Sequence, residues 1–174
     1  MKPLAFILIE GDEDERFFKK IIEPILKKKY FNIVYYQYSH ETNLNFQNMI
    51  KTCIKNHFDH YLFGDINTCS IICERKEQLY IKSDHNIDFT KTIIIIKEIE
   101  SWYLAGLSDK DLNDFNIKEE INNTDDMTKE KFINLKPINL PSAILFMQII
   151  LNKYNINIAI KKNKSFNFFY SLII

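Results

Sequence analysis

Acidic side chains follow three of the apolar runs that read as core strands in this sequence. They are Glu10, Asp65, Glu98 and Glu100. In an open parallel α/β sheet, ligands bind beyond the carboxyl ends of the strands, so these acids would meet at one edge. Magnesium is commonly held by one or two carboxylates together with water and substrate phosphates. The strand ends therefore predict a site for Mg²⁺ or Mn²⁺.

Two further polar residues lie close to these acids in sequence. Asp14 comes four residues after Glu10, in the first turn of a predicted helix, and Asn67 comes two after Asp65. Asp14 also suits a helix N-terminus for structural reasons, and Asp65 after Gly64 is also typical of a turn. Glu10 directly ends a six-residue apolar run, which favours a functional role. One of Glu98 and Glu100 is expected to be a solvated surface acid.

The elements that would position these residues alternate between strands and helices. Apolar and aromatic runs predict four strands, and helical periodicity predicts helices between them. The strands are 4–9, 31–38, 60–63 and 92–96, and the helices are about 13–26, 44–58 and 70–81. Pro24 should bend or divide the first helix. This order predicts an α/β fold with a mostly parallel central sheet of about four strands flanked by helices.

Beyond Trp102 the sequence predicts helices only. Pro141 opens an apolar helix that runs to Leu151, and Ser165 caps a final helix. We expect one domain over 1–174, with an α/β core at 1–106 and a helical C-terminal extension at 107–174.

Composition limits the classes of partner. Lysine and arginine together balance aspartate and glutamate at 23 each, so a nucleic-acid contact must come from local basic clusters. Candidates are Arg16, near the acids in sequence, and the run Lys161, Lys162 and Lys164. A lysine run beside a loop is also typical of solvated surface.

Several classes of protein lack their sequence signatures here. No apolar run reaches the ~20 residues that span a bilayer, so we expect a cytoplasmic protein without a membrane partner. The three cysteines fit neither a disulfide framework nor a zinc site and are interpreted as reduced core residues. With only three glycines, the chain has no dinucleotide-binding or P-loop motif.

Four segments resemble TOPRIM-like domains in order along the chain. The strand end Leu8-Ile-Glu10-Gly11, with Asp14 on the next helix, resembles their opening, and Asp65-Ile-Asn67 is similar to their Asp-x-Asp motif. Glu98-Ile-Glu100-Ser-Trp102 and the terminal Ser165-Phe-Asn-Phe-Phe169 resemble segments of small TOPRIM-like proteins, many of them linked to phage defence. The departure is Asn67, which stands where the family has an aspartate and removes a charge from a metal site.

The resemblance implies a Mg²⁺- or Mn²⁺-dependent nuclease that cuts DNA or RNA and acts in anti-phage defence. Glu10 and Asp65 would be catalytic, with Asp14, Asn67, Glu98 and Glu100 as further metal ligands. An alternative is a catalytically silent TOPRIM-like module that binds a partner protein, such as a defence-system ATPase. A third is a receiver-like domain that uses Asp65 and Lys97. The sequence leaves open the metal, the choice of DNA or RNA, and whether the protein forms homo-oligomers.

Overall fold

The computed structural model describes residues 2–174 and confirms the predicted α/β fold. A four-stranded, all-parallel sheet has the strand order β2-β1-β3-β4. The strands are β1 (Lys2–Ile9), β2 (Tyr30–Gln37), β3 (Asp59–Asp65) and β4 (Thr92–Ile95). The chain divides into two compact units: unit 1 ends at Ile95, and unit 2 comprises Ile96–Ile174. That the chain forms a single domain stays a prediction.

Helices of unit 1 follow each strand and precede the next. They are α1 (Asp12–Phe17), a π-helical segment (Phe18–Ile22), α2 (Glu23–Leu26), α3 (Asn43–Lys55) and α4 (Ile72–Lys82). The expected division at Pro24 is confirmed, because the wide π turn lies directly before α2, where Pro24 occupies the first turn. Proline has no N–H and clashes with the carbonyl four residues before it, so a regular α-helix cannot continue through it.

Apolar side chains of β1 are buried on both faces of the sheet, which is why its sequence is continuously apolar rather than alternating. On one face Phe6 and Leu8 belong to a core cluster with Phe46 of α3. In the other part of the core, the ring of Phe18 packs edge-on against Phe63 of β3 with a centroid distance of 4.5 Å. Helices on both sides therefore bury the central strands.

The strand order creates a topological switch point between β1 and β3. The chain leaves β1 for β2 on one side, then crosses back past β1 to β3 and continues to β4. In sheets with this 2-1-3-4 order, the crevice at the carboxyl ends of β1 and β3 is where ligands bind. Glu10 and Asp65 stand at these two strand ends.

Unit 2 contains helices and no strand among its described residues, as the sequence predicted for most of this part of the chain. The helices are α5 (Glu100–Ala105), α6 (Asp109–Asp114), α7 (Lys129–Leu135), α8 (Ala143–Lys153), α9 (Ile156–Lys162) and α10 (Lys164–Ile173). Trp102 lies at the centre of this unit, with its ring stacked on Phe169 and edge-on to Phe166.

Within residues 2–174, no single helix has both the length and the apolar composition to cross a membrane. Only α8 and α9 taken together would meet those criteria, and they are bent by 111° relative to each other.

Candidate functional site at the β1/β3 switch point

Glu10 and Asp65 meet at the carboxyl ends of the two central strands of unit 1. β1 and β3 pair in parallel up to Leu8 and Leu62, so the residues that follow both strands leave the sheet side by side. The backbone N–H of Asp65 donates a hydrogen bond to Oε1 of Glu10 over 3.3 Å. The sequence prediction that these strand ends converge is confirmed for this pair.

Arg75 of α4 binds both strand ends. Its Nη2 lies 2.8 Å from Oε1 of Glu10, and its Nε donates to the backbone carbonyl of Asp65 over 2.8 Å. The side chains of Arg75 and Glu10 are only 14% and 22% exposed, so this ion pair is partly shielded from water. A guanidinium presents several donors in a rigid plane and can therefore hold two acceptors at once. Arg75 ties the end of β1 to the end of β3.

Tyr38 supplies a third donor group near the Glu10 carboxylate. Its hydroxyl lies 3.0 Å from Oε1 of Glu10 and 2.8 Å from the carbonyl oxygen of Phe63. Burial raises the pKa of Tyr38 well above its ordinary value, and the negative charge of Glu10 raises it further. The phenol therefore stays protonated and acts as a hydrogen-bond donor at this position.

Gly64 provides the space in which these side chains meet. A Cβ at this position would lie 2.9 Å from Oη of Tyr38, 3.2 Å from Cδ1 of Leu79 and 3.3 Å from Oε1 of Glu10. Such contacts are too short for packed atoms, so only glycine fits without movement of the neighbours. The glycine beside Asp65 is thus required by the close approach of the Tyr38 and Glu10 side chains.

Lys82 adds a second cation on the same side of the sheet. Its ammonium lies 5.0 Å from the ring centroid of Tyr38 and 5.4 Å from that of Phe46. Burial lowers the pKa of Lys82, while the charge of Glu10 acts in the opposite direction. Glu10 is therefore surrounded by positive charge and by hydrogen-bond donors.

The other residues predicted for this site in unit 1 have different surroundings. Asp14 is buried, and its Oδ2 accepts a hydrogen bond from the backbone N–H of Gly11 over 3.0 Å, as in a helix N-terminal capping box. Asn67 is exposed in the turn after β3 with φ of 51°, a left-handed conformation that asparagine adopts more readily than most residues. Arg16 is half-buried on α1.

These residues do not fit a divalent metal ion in the arrangement described. Oε1 of Glu10 accepts from Arg75 Nη2 and lies within hydrogen-bond distance of the Tyr38 hydroxyl and the Asp65 amide, so a metal ion at this oxygen would compete with the guanidinium. Across residues 2–174, no three histidine, cysteine, aspartate or glutamate side chains are grouped so that they could hold a metal. A magnesium site here stays a prediction, and a metal ion bound to Oε1 of Glu10 would have to displace Arg75.

Glu98 and Glu100, the remaining predicted metal ligands, lie in unit 2 and both contact Lys129. Oε2 of Glu98 accepts the backbone N–H of Lys129 at the start of α7 over 2.5 Å. Glu100 is only 2% exposed, and its Oε1 lies 3.8 Å from Nζ of Lys129. Negative charge is favourable at a helix N-terminus. Within unit 2 these two acids therefore anchor the beginning of α7.

The three C-terminal lysines predicted to bind nucleic acid differ in accessibility. Lys161 is exposed. The Lys162 side chain is 11% exposed, and its ammonium donates to the carbonyl of Leu107 over 3.0 Å. Lys164 is 80% exposed and lies 3.4 Å from Asp125. Lys161 and Lys164 are accessible to a phosphate backbone, although Lys164 would exchange its ion pair with Asp125 for it. Lys162 would have to give up its contacts within unit 2.

A buried polar network joins the two C-terminal segments that resemble TOPRIM-like proteins. Trp102 Nε1 donates to Oγ of Ser165 over 2.8 Å, and Ser165 Oγ in turn donates to Oδ1 of Asn163 over 2.8 Å. The amide group of Asn163 also contacts Ser101 Oγ at 3.3 Å and Thr124 Oγ1 at 3.1 Å. Tryptophan and serine in these segments thus have a packing role within unit 2.

Arg75 and Tyr38 were not among the residues predicted from sequence. Arg75 lies 65 residues from Glu10 in the sequence, and Tyr38 was placed inside the predicted strand 31–38. A usable signal was present, because the chain has only two arginines among 23 basic residues. In a chain that otherwise uses lysine, an arginine inside a predicted helix indicates a site where a guanidinium is needed, such as a shielded ion pair.

Comparison of the chain with protein-family models, with curated proteins and with solved structures gives no match.

Proposed function

We propose that this protein is a catalytically silent, TOPRIM-like module that acts in the cytoplasm by binding a partner protein. The observation that carries this proposal is the ion pair between Arg75 and Glu10, with N···O of 2.8 Å. In the nuclease interpretation, Glu10 must be available to a metal or to a reacting proton. Here its carboxylate instead links α4 to the ends of β1 and β3.

Two further observations support the same interpretation. Asn67 stands where the TOPRIM pattern has an aspartate, and its side chain lies in an exposed turn, so the second motif contributes one carboxylate instead of two. Asp14 is engaged in capping α1. The partner class, a protein such as a defence-system ATPase, comes from the resemblance of the four sequence segments.

Nuclease assays on the purified chain test this proposal. Supercoiled plasmid DNA and structured RNA are incubated with the wild-type protein and with Glu10→Gln, in Mg²⁺ and separately in Mn²⁺. We expect no cleavage above the level of the Glu10→Gln variant, because the guanidinium of Arg75 competes with a metal ion for the Glu10 carboxylate. Cleavage by the wild type that Glu10→Gln abolishes would overturn the proposal.

A metal-dependent nuclease is the second candidate, and the convergence of Glu10 with Asp65 favours it. The two acids stand at the switch point where such folds bind ligands, and the Asp65 N–H contacts Oε1 of Glu10. In this candidate the ion pair is a resting arrangement that a substrate phosphate opens by attracting Arg75, since guanidinium groups bind phosphates well.

Arg75→Gln separates the two candidates. Glutamine removes the charge that competes for Glu10 but keeps a polar side chain at the position. A nuclease with a resting ion pair would cleave at a different rate in this variant than in the wild type. A silent module would show no cleavage in either protein. Circular dichroism of both proteins confirms that the comparison is between folded chains.

A further inference from the structure

The outer edge of β2 differs from the other edge of the sheet. β2 is the first strand in the order β2-β1-β3-β4 and pairs with β1 from Tyr30 to Gln37. Its eight residues include no charged residue, proline or glycine. At the opposite edge, β4 is only four residues long and all of them are buried. Only the β2 edge is therefore both long and uncharged.

Side chains of β2 are exposed on both faces of this edge. Phe31 is 74% exposed and Val34 is 37% exposed. Within residues 2–174, the backbone of Tyr30–Gln37 makes hydrogen bonds with the backbone of β1 and with no other backbone group. Natural proteins usually protect such an edge with a charge, a proline, a bulge or a very short strand. β2 has none of these four protections, so its edge is suited to pairing with another strand.

The two ends of β2 carry opposite charges. Lys27, Lys28 and Lys29 precede the strand, and all three are exposed. At the other end, Gln37 Nε2 donates to Asp12 Oδ1 and to Glu15 Oε2, each over 2.8 Å, and Glu41 follows in the next turn. Lys27 pairs with Glu23, and Lys19 pairs with Glu15. Beyond these pairs the beginning of β2 has Lys28 and Lys29, and its end has Asp12 and Glu41, so the beginning is basic and the end is acidic.

This charge pattern selects the partner and its direction. When two copies of β2 lie side by side in antiparallel orientation, the basic end of one strand meets the acidic end of the other. Parallel pairing would bring like charges together. A two-fold axis perpendicular to the sheet generates the antiparallel arrangement and uses the same surface on both copies. Over eight residues the paired strands would extend roughly 27 Å.

We propose that the protein forms a homodimer by antiparallel pairing of β2 with β2 of a second copy, which joins the two four-stranded sheets into one. The two-fold axis passes near Val34, in the middle of the strand. The inference is independent of the β1/β3 site, because it rests on the edge of the sheet and not on the chemistry of Glu10.

Sedimentation velocity of the full chain over a range of concentrations tests the dimer. We expect the wild type to reach twice the mass of one chain. Val34→Lys places a lysine next to its own symmetry mate at the centre of the pair and should raise the dissociation constant at least about tenfold. Ile54→Lys is the matched control, because Ile54 is an exposed apolar residue of α3 and not of β2, and its replacement should leave the dimer unchanged.

Charge reversal tests the direction of pairing. Lys28→Glu together with Lys29→Glu should weaken the dimer, and adding Asp12→Lys with Glu41→Lys in the same chain should restore it. A wild type that is monomeric at every concentration overturns the inference. A Val34→Lys variant that dimerises as tightly as the wild type also overturns it. The same holds if the four-fold charge swap does not restore the dimer.

Discussion

At each end of the central sheet in unit 1, an acid lies among positively charged side chains. At the carboxyl end, Glu10 contacts Arg75 and the hydroxyl of Tyr38. At the amino end, Asp59 contacts Lys2 at 2.5 Å, Lys91 at 3.0 Å and the hydroxyl of Tyr30 at 2.9 Å. Each acid is thus bound by at least one cation and one tyrosine. The arrangement around Glu10 resembles that around Asp59, at the end of the sheet where no ligand site is expected.

The cations at the two ends differ in type and exposure. Lys2 and Lys91 are 58% and 35% exposed, and each contributes a flexible ammonium. Arg75 is 14% exposed and binds a carboxylate and a backbone carbonyl with separate nitrogens. Surface ion pairs contribute little to stability, whereas removing one partner of a shielded pair leaves a charge unpaired. The comparison therefore predicts that the carboxyl end is more sensitive to loss of its cation.

Removing the cation at each end in turn tests this difference and should give the largest change in stability. Arg75→Met should lower the free energy of unfolding by about 2–3 kcal/mol, because Glu10 remains shielded without its cation. Lys91→Met should cost less than about 1 kcal/mol, since Asp59 keeps Lys2 and Tyr30. Urea unfolding of both variants measures the two losses, and equal losses would show that the two ends are equivalent.

A methyl group added between the side chains of Tyr38 and Glu10 should have the next largest effect on stability. Gly64→Ala places a Cβ 2.9 Å from Oη of Tyr38, and the displaced hydroxyl should lower the free energy of unfolding by about 1–2 kcal/mol. Gly11→Ala is the matched control, because its Cβ would lie 3.9 Å from the nearest side-chain atoms, those of Glu13 and Asp14. Urea unfolding compares the two. A Gly64→Ala protein as stable as Gly11→Ala would contradict the close packing of Tyr38 and Glu10.

The smallest effect is expected in the pH dependence at the amino end. Burial acts to raise the pKa of Asp59, but hydrogen bonds from Lys2, Lys91 and Tyr30 outweigh it and hold the pKa below the ordinary value of 3.8. The unfolded chain therefore takes up a proton at this residue before the folded protein does. The stabilisation is complete above the ordinary carboxyl pKa and is lost as the pH falls below it.

Asp59→Asn removes this titration. Between about pH 5 and pH 3, the free energy of unfolding of the wild type should fall more steeply than that of the variant. Unfolding curves at several pH values measure both slopes. Parallel slopes would mean that Asp59 has an ordinary pKa in the folded protein.

Local pattern was sufficient to predict the sheet and the convergence of Glu10 with Asp65. Continuous apolar runs marked β1 and β4. Once the end of a strand is predicted, the position of the residue that follows it in the sheet is predicted as well. Arg75 could not be placed in the same way, because its position against Glu10 depends on how α4 packs on the sheet. The same limit applies to Tyr38, which the sequence places only at the end of the predicted strand 31–38, although its hydroxyl contacts Glu10.

The central claim is that Glu10 serves an ion pair and not a metal ion, and magnesium-dependent stability tests it most directly. A ligand that binds only the folded protein raises the free energy of unfolding as its concentration rises. Urea unfolding of the wild type and of Glu10→Gln, with and without millimolar MgCl₂, should show the same small salt effect in both proteins. Stabilisation by magnesium that appears in the wild type and is absent from Glu10→Gln would contradict the account.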